Sequence, residues 1–224
     1  MYDPKTPYHK PTFDNIPEEK RRRVLDTATE EFANEGFADA SIESIAKKAG
    51  ISVGSIYKYF ESKHDLFLTV VYGGIGTLRE MLEELYAADD DILLKAETII
   101  RRLIRVSRSE PSLIRLYARL ASENRDEAFV KDIAGIMESI SSKVYAAAIA
   151  EAQKSGEVRR DIDPRMLAFM LDNLFVSLQY AYSCEYYKER FRIFAGDGIF
   201  DNDDFVVEQT LHFIKSAFLG QKNL

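Results

Sequence analysis

Ser55, Tyr57, Lys58 and Tyr59 bring a hydroxyl, two phenols and an ammonium together within five positions. Donors of this kind suit phosphate oxygens and the acceptor edges of bases. They follow two short helical patterns that meet at Ala49-Gly50. In the first, Ile42, Ile45, Ala46 and Ala49 form a narrow inner stripe, Ser41 can cap the start, and Gly50 suits a sharp turn. In the second, Ser52 can cap the start while Ile56 and Phe60 anchor the helix inward. Two helices joined in this way serve to place the second in the major groove of DNA.

Bond-making chemistry has little to draw on. His9, His64 and His212 are scattered, and none stands at metal-ligand spacing from another ligand type. Cys184, the single cysteine, excludes an internal disulfide and sits in a tyrosine-rich stretch with no basic partner nearby. Gly73-Gly74-Ile75-Gly76 follows no strand and lacks the downstream lysine of a phosphate-cradling loop. The expectation is a non-enzyme with no metal and no cofactor.

The chain has 224 residues, enough for one large or two modest domains with a real core. No apolar run approaches the ~18 residues needed to span a bilayer, and the N-terminus has no apolar region of a signal peptide, so a cytoplasmic protein is expected. Net charge is −7, and residues 1–70 hold ten Lys/Arg against twelve Asp/Glu. Within 41–63, however, Lys47, Lys48, Lys58 and Lys63 outnumber Glu43 and Glu61, and Lys20, Arg21, Arg22 and Arg23 cluster upstream. A local basic footprint therefore exists on an acidic chain.

These residues need elements to position them. Residues 1–16, with Pro4, Pro7 and Pro11, read as a flexible arm whose Lys5 and Lys10 could touch DNA outside the major groove. A first helix starts near Pro17 and stops at Gly36, with Leu25, Ala28 and Phe32 at helical spacing. Ser62 and Asp65 resemble a capping box opening a fourth helix, in whose middle lie Gly73, Gly74 and Gly76. Each glycine costs roughly 1 kcal/mol against Ala there, so either a neighbouring helix packs closely or the helix is a bend or hinge. Further helices are expected over 92–109, 112–122, 127–154, 164–195 and 204–219, with no strand. The fold class is all-α, with a three-helix head followed by a helical body.

The head resembles the TetR family of transcriptional regulators. Leu25, Ala28, Phe32, Gly36 and Phe37, then Ser41, Ile42, Ile45, Ala46, Ala49 and Gly50, then Val53-Gly54-Ser55-Ile56-Tyr57, Tyr59, Phe60, Lys63 and Leu66 fit that pattern in register over about 45 residues. The resemblance implies a DNA-binding domain over 17–63 and a ligand-sensing and dimerisation domain over 64–224, with the helix of about 63–86 as connector. It further implies a homodimer on a double-stranded, roughly palindromic operator, with recognition helices ~34–36 Å apart. By position, DNA contacts are expected from Ser41, Ser52, Val53, Gly54, Ser55, Tyr57, Lys58, Tyr59 and Lys63. Lys58 is the candidate for a base edge, and Val53 for a thymine methyl.

In the body, Leu167, Leu171, Leu174 and Leu178 line one stripe, and Val207, Leu211, Ile214 and Phe218 form a heptad-like seam. These stripes either build a four-helix dimer interface or complete a monomer core. The resemblance also implies a small-molecule effector. Tyr117, Phe169, Asn173, Gln179 and Tyr180 set polar tips among apolar walls, as pocket lining or as satisfied core groups. Arg101, Arg105, Arg108, Arg115 and Arg119 form either a salt-bridged surface or, if one turns inward, a site for an anionic ligand. The expected role is a repressor released by its ligand; the alternative is an adaptor on the same scaffold that uses a protein partner instead.

Overall fold

The structure, a computed structural model, describes residues 7–122 and 127–219. Lys5 and Pro4 of the expected arm lie outside the described residues. Eleven α-helices occur among the described residues: α1 Pro11–Asp14, α2 Glu18–Asp39, α3 Ile42–Ala49, α4 Val53–Tyr59, α5 Lys63–Ala87, α6 Ile92–Ser109, α7 Pro111–Ser122, α8 Glu127–Ser155, α9 Pro164–Ser183, α10 Glu185–Ala195 and α11 Asp203–Phe218. A 3-10 turn, Asp197–Asp201, joins the last two. No described helix is long and apolar enough to cross a membrane.

The chain forms two compact units, Met1–Leu78 with Arg115–Asp126, and Arg79–Ile114 with Glu127–Leu224. In the first unit, helix boundaries follow local chemistry. Gly36 has left-handed φ 78° and breaks the helical run of α2 before its cap at Ala40. The Ser62 hydroxyl accepts from the Asp65 amide at 3.2 Å and donates to the Asp65 carboxylate at 2.7 Å, so Ser62 caps the start of α5 and Asp65 holds its hydroxyl rather than the backbone amide of a full capping box. The core holds Val24, Ala28, Phe32, Ile45, Ile56, Phe60 and Phe67, with Phe32 edge-on to Phe67. The second half of α7 belongs to this unit. The Tyr117 hydroxyl donates to Val71 O of α5 at 3.0 Å, and Arg119 donates to the carbonyls of Asn34 and Glu35 at 2.8 and 3.1 Å. A cation there complements the negative end of the α2 helix proper.

Close packing of a neighbouring helix does not account for Gly73 and Gly76 of α5. A Cβ added at Gly73 or Gly76 would meet nothing within 4 Å.

In the second unit, α6 turns Ala96, Ile99, Ile100, Leu103 and Ile104 inward against α9 and α11. Asp163 caps α9 ahead of Pro164, and the Arg165 guanidinium holds its carboxyl down to about 2. Arg108 grips Asp203 at 2.7 and 3.0 Å and lies over the Tyr182 ring, whose hydroxyl donates to the same carboxylate at 2.8 Å. Arg101 reaches Asp204 at 2.6 Å. The arginine stripe thus fixes the acidic first turn of α11.

The helix expected over 164–195 is two helices. Cys184 is extended, φ −112° and ψ 125°, between α9 and α10. No glycine or proline marks the break. It coincides with the fully buried Ser183, whose hydroxyl donates to Ser107 O of α6 at 3.1 Å. Tertiary bonding overrides local propensity here.

Candidate nucleic-acid interface

Helices α3 and α4 are built as their end residues require. Ser41 Oγ accepts from the Ser44 amide at 3.2 Å and donates to Glu43 at 2.9 Å. At the other end Gly50 takes φ +67°, and Ile51 N reaches back to Ala46 O at 3.0 Å while Gly50 N reaches Lys47 O at 3.2 Å. This αL closure turns the chain sharply into α4. Ser52 Oγ accepts from the Ser55 amide at 3.1 Å. Ile45, Ala46, Ala49, Ile56 and Phe60 are buried, so both helices are anchored from one side.

The opposite side of α4 presents Ser52, Gly54, Tyr57 and Lys58, all exposed, with Tyr57 at 47 %. Val53 and Ser55 of the same helix are half-buried, as is Ser41 at the start of α3. At Gly54 an added Cβ would touch only Ser52 Oγ, at 3.8 Å, so the absence of a side chain leaves room on the outer face. Gly54, Tyr57 and Lys58, three and four residues apart, thus share the solvent-facing side of α4.

Two others are placed differently. Tyr59 is only 4 % exposed: its ring packs 5.5 Å from Phe13, with Lys20 Nζ 5.7 Å above it. The residue supports the helix from behind. Lys63 Nζ donates to Ala38 O and Ala40 O at 2.9 and 3.0 Å and lies over Phe37, so its charge stabilises the turn after α2. Lys48 is likewise engaged, with Glu31, as are Arg23, on Ala49 O at 2.9 Å, and Arg21, on Asp14 O. Lys47 and Lys58 stay exposed, with no ammonium partner among the described residues.

Glu31 was not singled out from sequence, yet it organises this surface. Its buried carboxylate accepts from the Ser41 amide at 3.3 Å, Ser44 Oγ at 2.8 Å and Lys48 Nζ at 2.9 Å. Burial alone would raise its proton affinity, but the bonds from Lys48, Ser44 and Ser41 outweigh burial and hold the carboxyl below its usual range.

The arm expected to be flexible is docked from residue 7 onward. Phe13 is 2 % exposed between Tyr59 and Phe60. Lys10 N donates to Tyr59 O at 2.7 Å, Lys10 Nζ to Tyr57 O at 3.0 Å, and Thr12 Oγ1 to Lys58 O at 2.7 Å. Lys10 also pairs with Glu61 at 2.7 Å, so it is not free for a phosphate. The sequence cue was Pro11, well placed for a first helical turn, followed by a lone Phe in a polar stretch.

In the body, the residues expected at a dimer interface are largely consumed by the protomer. Leu167, Leu171, Leu178, Val207, Ile214 and Phe218 are buried in its own core, and Leu174 and Leu211 are half-buried. The same helices expose Met166, Phe169 (62 %) and Met170 on α9, and Phe205 and Phe213 on α11. Of the residues expected in a pocket, Phe169 and Asn173 face outward, with Asn173 Nδ2 bonded to Phe169 O at 2.7 Å. Tyr180 lies edge-on to Tyr187, Gln179 is half-buried, and Tyr117 serves α5 from the first unit. The body's narrow apolar cleft, about 40 Å³, is lined by others, among them Leu85, Ile99, Tyr145, Leu171 and Phe218. Because α9 is apolar nearly all round, its helical phase could not be read from sequence.

Comparison with known proteins agrees with the head. The family described as bacterial regulatory proteins, tetR family, matches residues 24–70. The HTH-type transcriptional regulator YdgC of Bacillus subtilis (strain 168) is 34% identical over 86 residues, 38% of this chain and 43% of that protein, so the chain spans less than half of that relative's length. A crystal structure of a TetR family transcriptional regulator from Chloroflexus aurantiacus J-10-FL shares the fold, with a TM-score of 0.68 at 22% identity over 95% of this chain and 99% of that one. The regulator FadR from Bacillus subtilis, solved in complex with stearoyl-CoA, gives a TM-score of 0.64 at 19% identity over 84% and 95% of the two chains. Residues 24–70 thus match the tetR family of bacterial regulatory proteins, and the described residues share the all-helical fold of TetR family structures.

Proposed function

We propose that the protein is a repressor that binds a palindromic operator as a homodimer and is released by a small molecule. The observation that carries this reading is the outward face of α4, where Ser52, Gly54, Tyr57 and Lys58 stand together on a buried-anchored helix. Lys58 can donate to guanine O6 and N7, while hydroxyls and the Tyr57 phenol suit phosphate oxygens. Association of two copies is supported by the exposed apolar side chains Met166, Phe169 and Met170 on α9 and Phe205 and Phe213 on α11.

Effector binding is supported by the apolar cleft in the body. Beside it a shallower recess, about 290 Å³, shares Tyr86, Ile92, Lys95 and Ala148 and adds Asp90, Glu151 and Glu157. FadR of Bacillus subtilis holds stearoyl-CoA, but here Arg101 and Arg108 are tied to Asp204 and Asp203, and Lys95 is the one cation among the residues lining cleft and recess. An apolar compound with a neutral or cationic head suits this lining better than the polyanion of coenzyme A. A ligand can act only through a difference in affinity between two states of the body.

A second reading, an adaptor with a protein partner in place of a ligand, is favoured by the size of the cleft: about 40 Å³ against the ~300–1,000 Å³ usual for ligand sites. Enrichment of duplexes from a random pool, followed by competition with alkyl amines, fatty alcohols and stearoyl-CoA, separates these readings. The repressor reading expects a palindromic consensus and release by at least one neutral or cationic amphiphile. Release by none of the probes would favour the adaptor, and failure to enrich any duplex would overturn both.

A further inference from the structure

We propose that Pro7–Asp14 is a strap that sets α4 for sequence reading, with Tyr8, Lys10 and Thr12 acting as positioning residues rather than as DNA contacts. The proposal rests on α4 being the recognition helix and adds to it what holds that helix in place.

Helix α4 has seven residues, about two turns. The last four carbonyls of any helix lack donors within it, and in so short a helix these are more than half of the total. Here each has a donor from outside. Phe60 N bonds Ile56 O, Lys10 Nζ bonds Tyr57 O, Thr12 Oγ1 bonds Lys58 O, and Lys10 N bonds Tyr59 O. Three of the four donors belong to the strap. Its ammonium also sits at the negative end of the helix, where a cation is favoured.

The strap is fixed at two further points. Phe13 is sealed between Tyr59 and Phe60, so moving the strap exposes an aromatic ring. At the other end the Tyr8 ring stacks on Tyr72 of α5, centroids 4.9 Å apart and planes within 11°. Tyr72 lies between Val71, whose carbonyl receives the Tyr117 hydroxyl, and Gly73, a residue of low helix propensity. The strap therefore links the last turn of the reading helix to the turn of α5 that receives the Tyr117 hydroxyl of α7. Tyr57 and Lys58, the side chains that face outward, belong to residues whose own carbonyls the strap holds. Base edges demand closer placement than phosphates, so loosening the strap should cost discrimination before it costs general attraction.

The experiment uses the full chain, a duplex enriched by the wild-type protein from a random pool, and a scrambled duplex of equal length. Thr12→Val and Tyr8→Ala should each weaken binding to the enriched duplex by about five- to tenfold, as expected for one lost hydrogen bond or stacked pair. Affinity for the scrambled duplex and the slope of log K against log salt should stay as in wild type, and Thr12→Ser should restore discrimination. The proposal is overturned if both variants discriminate as wild type does. Equal loss of both affinities with a lowered melting temperature would also overturn it, since that marks general unfolding of the head. So would a salt slope in Lys10→Gln shallower by about one, which marks a direct phosphate contact. If the wild-type chain enriches no duplex, the reading of α4 itself fails and the strap with it.

Discussion

Lys48 Nζ lies 2.9 Å from Glu31 Oε2, so a lysine of the helix-turn-helix is bound to a buried carboxylate of α2 rather than offered outward. The same carboxylate holds Ser41 N and Ser44 Oγ, and so fixes the start of α3 to α2. Glu31→Ala strands these donors and is expected to destabilise the protein by about 1–3 kcal/mol in urea titration. The pH dependence follows from the sign. The folded carboxyl is more acidic than the unfolded one, so its stabilisation is full above the ordinary glutamate range, about 4.3, and is lost as pH falls through the lower folded value. Glu31→Gln should flatten that acid limb.

A carboxyl in the body carries the opposite sign. Burial pushes Asp172 upward despite a hydrogen bond from Ser141, and burial together with the charge of Asp172 raises Glu138. These groups bind protons more tightly folded than unfolded. Their contribution is complete below about pH 4 and declines as pH rises through the raised folded values. Asp172→Asn should therefore raise the melting temperature at neutral pH and leave it nearly unchanged at mildly acidic pH. A variant that melts lower at neutral pH would show that the charge is stabilising.

On the surface of α9 and α11, Phe169→Glu combined with Phe213→Glu places charge on side chains that have no role in the protomer core. Sedimentation should show wild-type dimers and monomeric double variant with the same helical content. Leu171→Ala is the contrasting change. Its side chain is buried within the protomer, so stability should fall by about 2–5 kcal/mol while association is retained at temperatures where the chain is folded.

Gly73→Ala and Gly76→Ala add a methyl group where nothing lies within 4 Å. Each should raise stability by up to about 1 kcal/mol by favouring the helix. A lower melting temperature for either variant would mean that α5 is not a regular helix there in solution.

The sequence was most legible where local chemistry decides the outcome. Ser41, Gly50, Ser52, the Ser62–Asp65 pair and Asp163-Pro164 each mark a helix end found at that place, because caps and turns act within a few residues. Features decided by distant partners were not legible. The break at Cys184 coincides with a bond from Ser183 to Ser107, and the fate of Lys48 and Lys63 depends on Glu31 and on the carbonyls of Ala38 and Ala40. Helix phase was the other obstacle. In α9 an apolar residue at nearly every position hides which face is core, so the buried Leu167 and Leu171 could not be told from the exposed Met166 and Phe169. Tyr57 and Tyr59 are two helical steps apart, about 200°, and the contact with the buried Phe13 shows that Tyr59 is the one that turns inward.

The most direct test of the central claim, that the outward face of α4 reads DNA, is equilibrium binding of Tyr57→Ala/Lys58→Ala to the duplex enriched by the wild-type chain, at physiological salt. Both side chains are exposed, so the fold should survive, as circular dichroism can verify. The predicted result is loss of specific affinity by about a hundredfold or more, consistent with ~1–3 kcal/mol for a base contact plus a phosphate contact. Specific binding left intact by the folded double variant would contradict the assignment of α4 as the recognition helix.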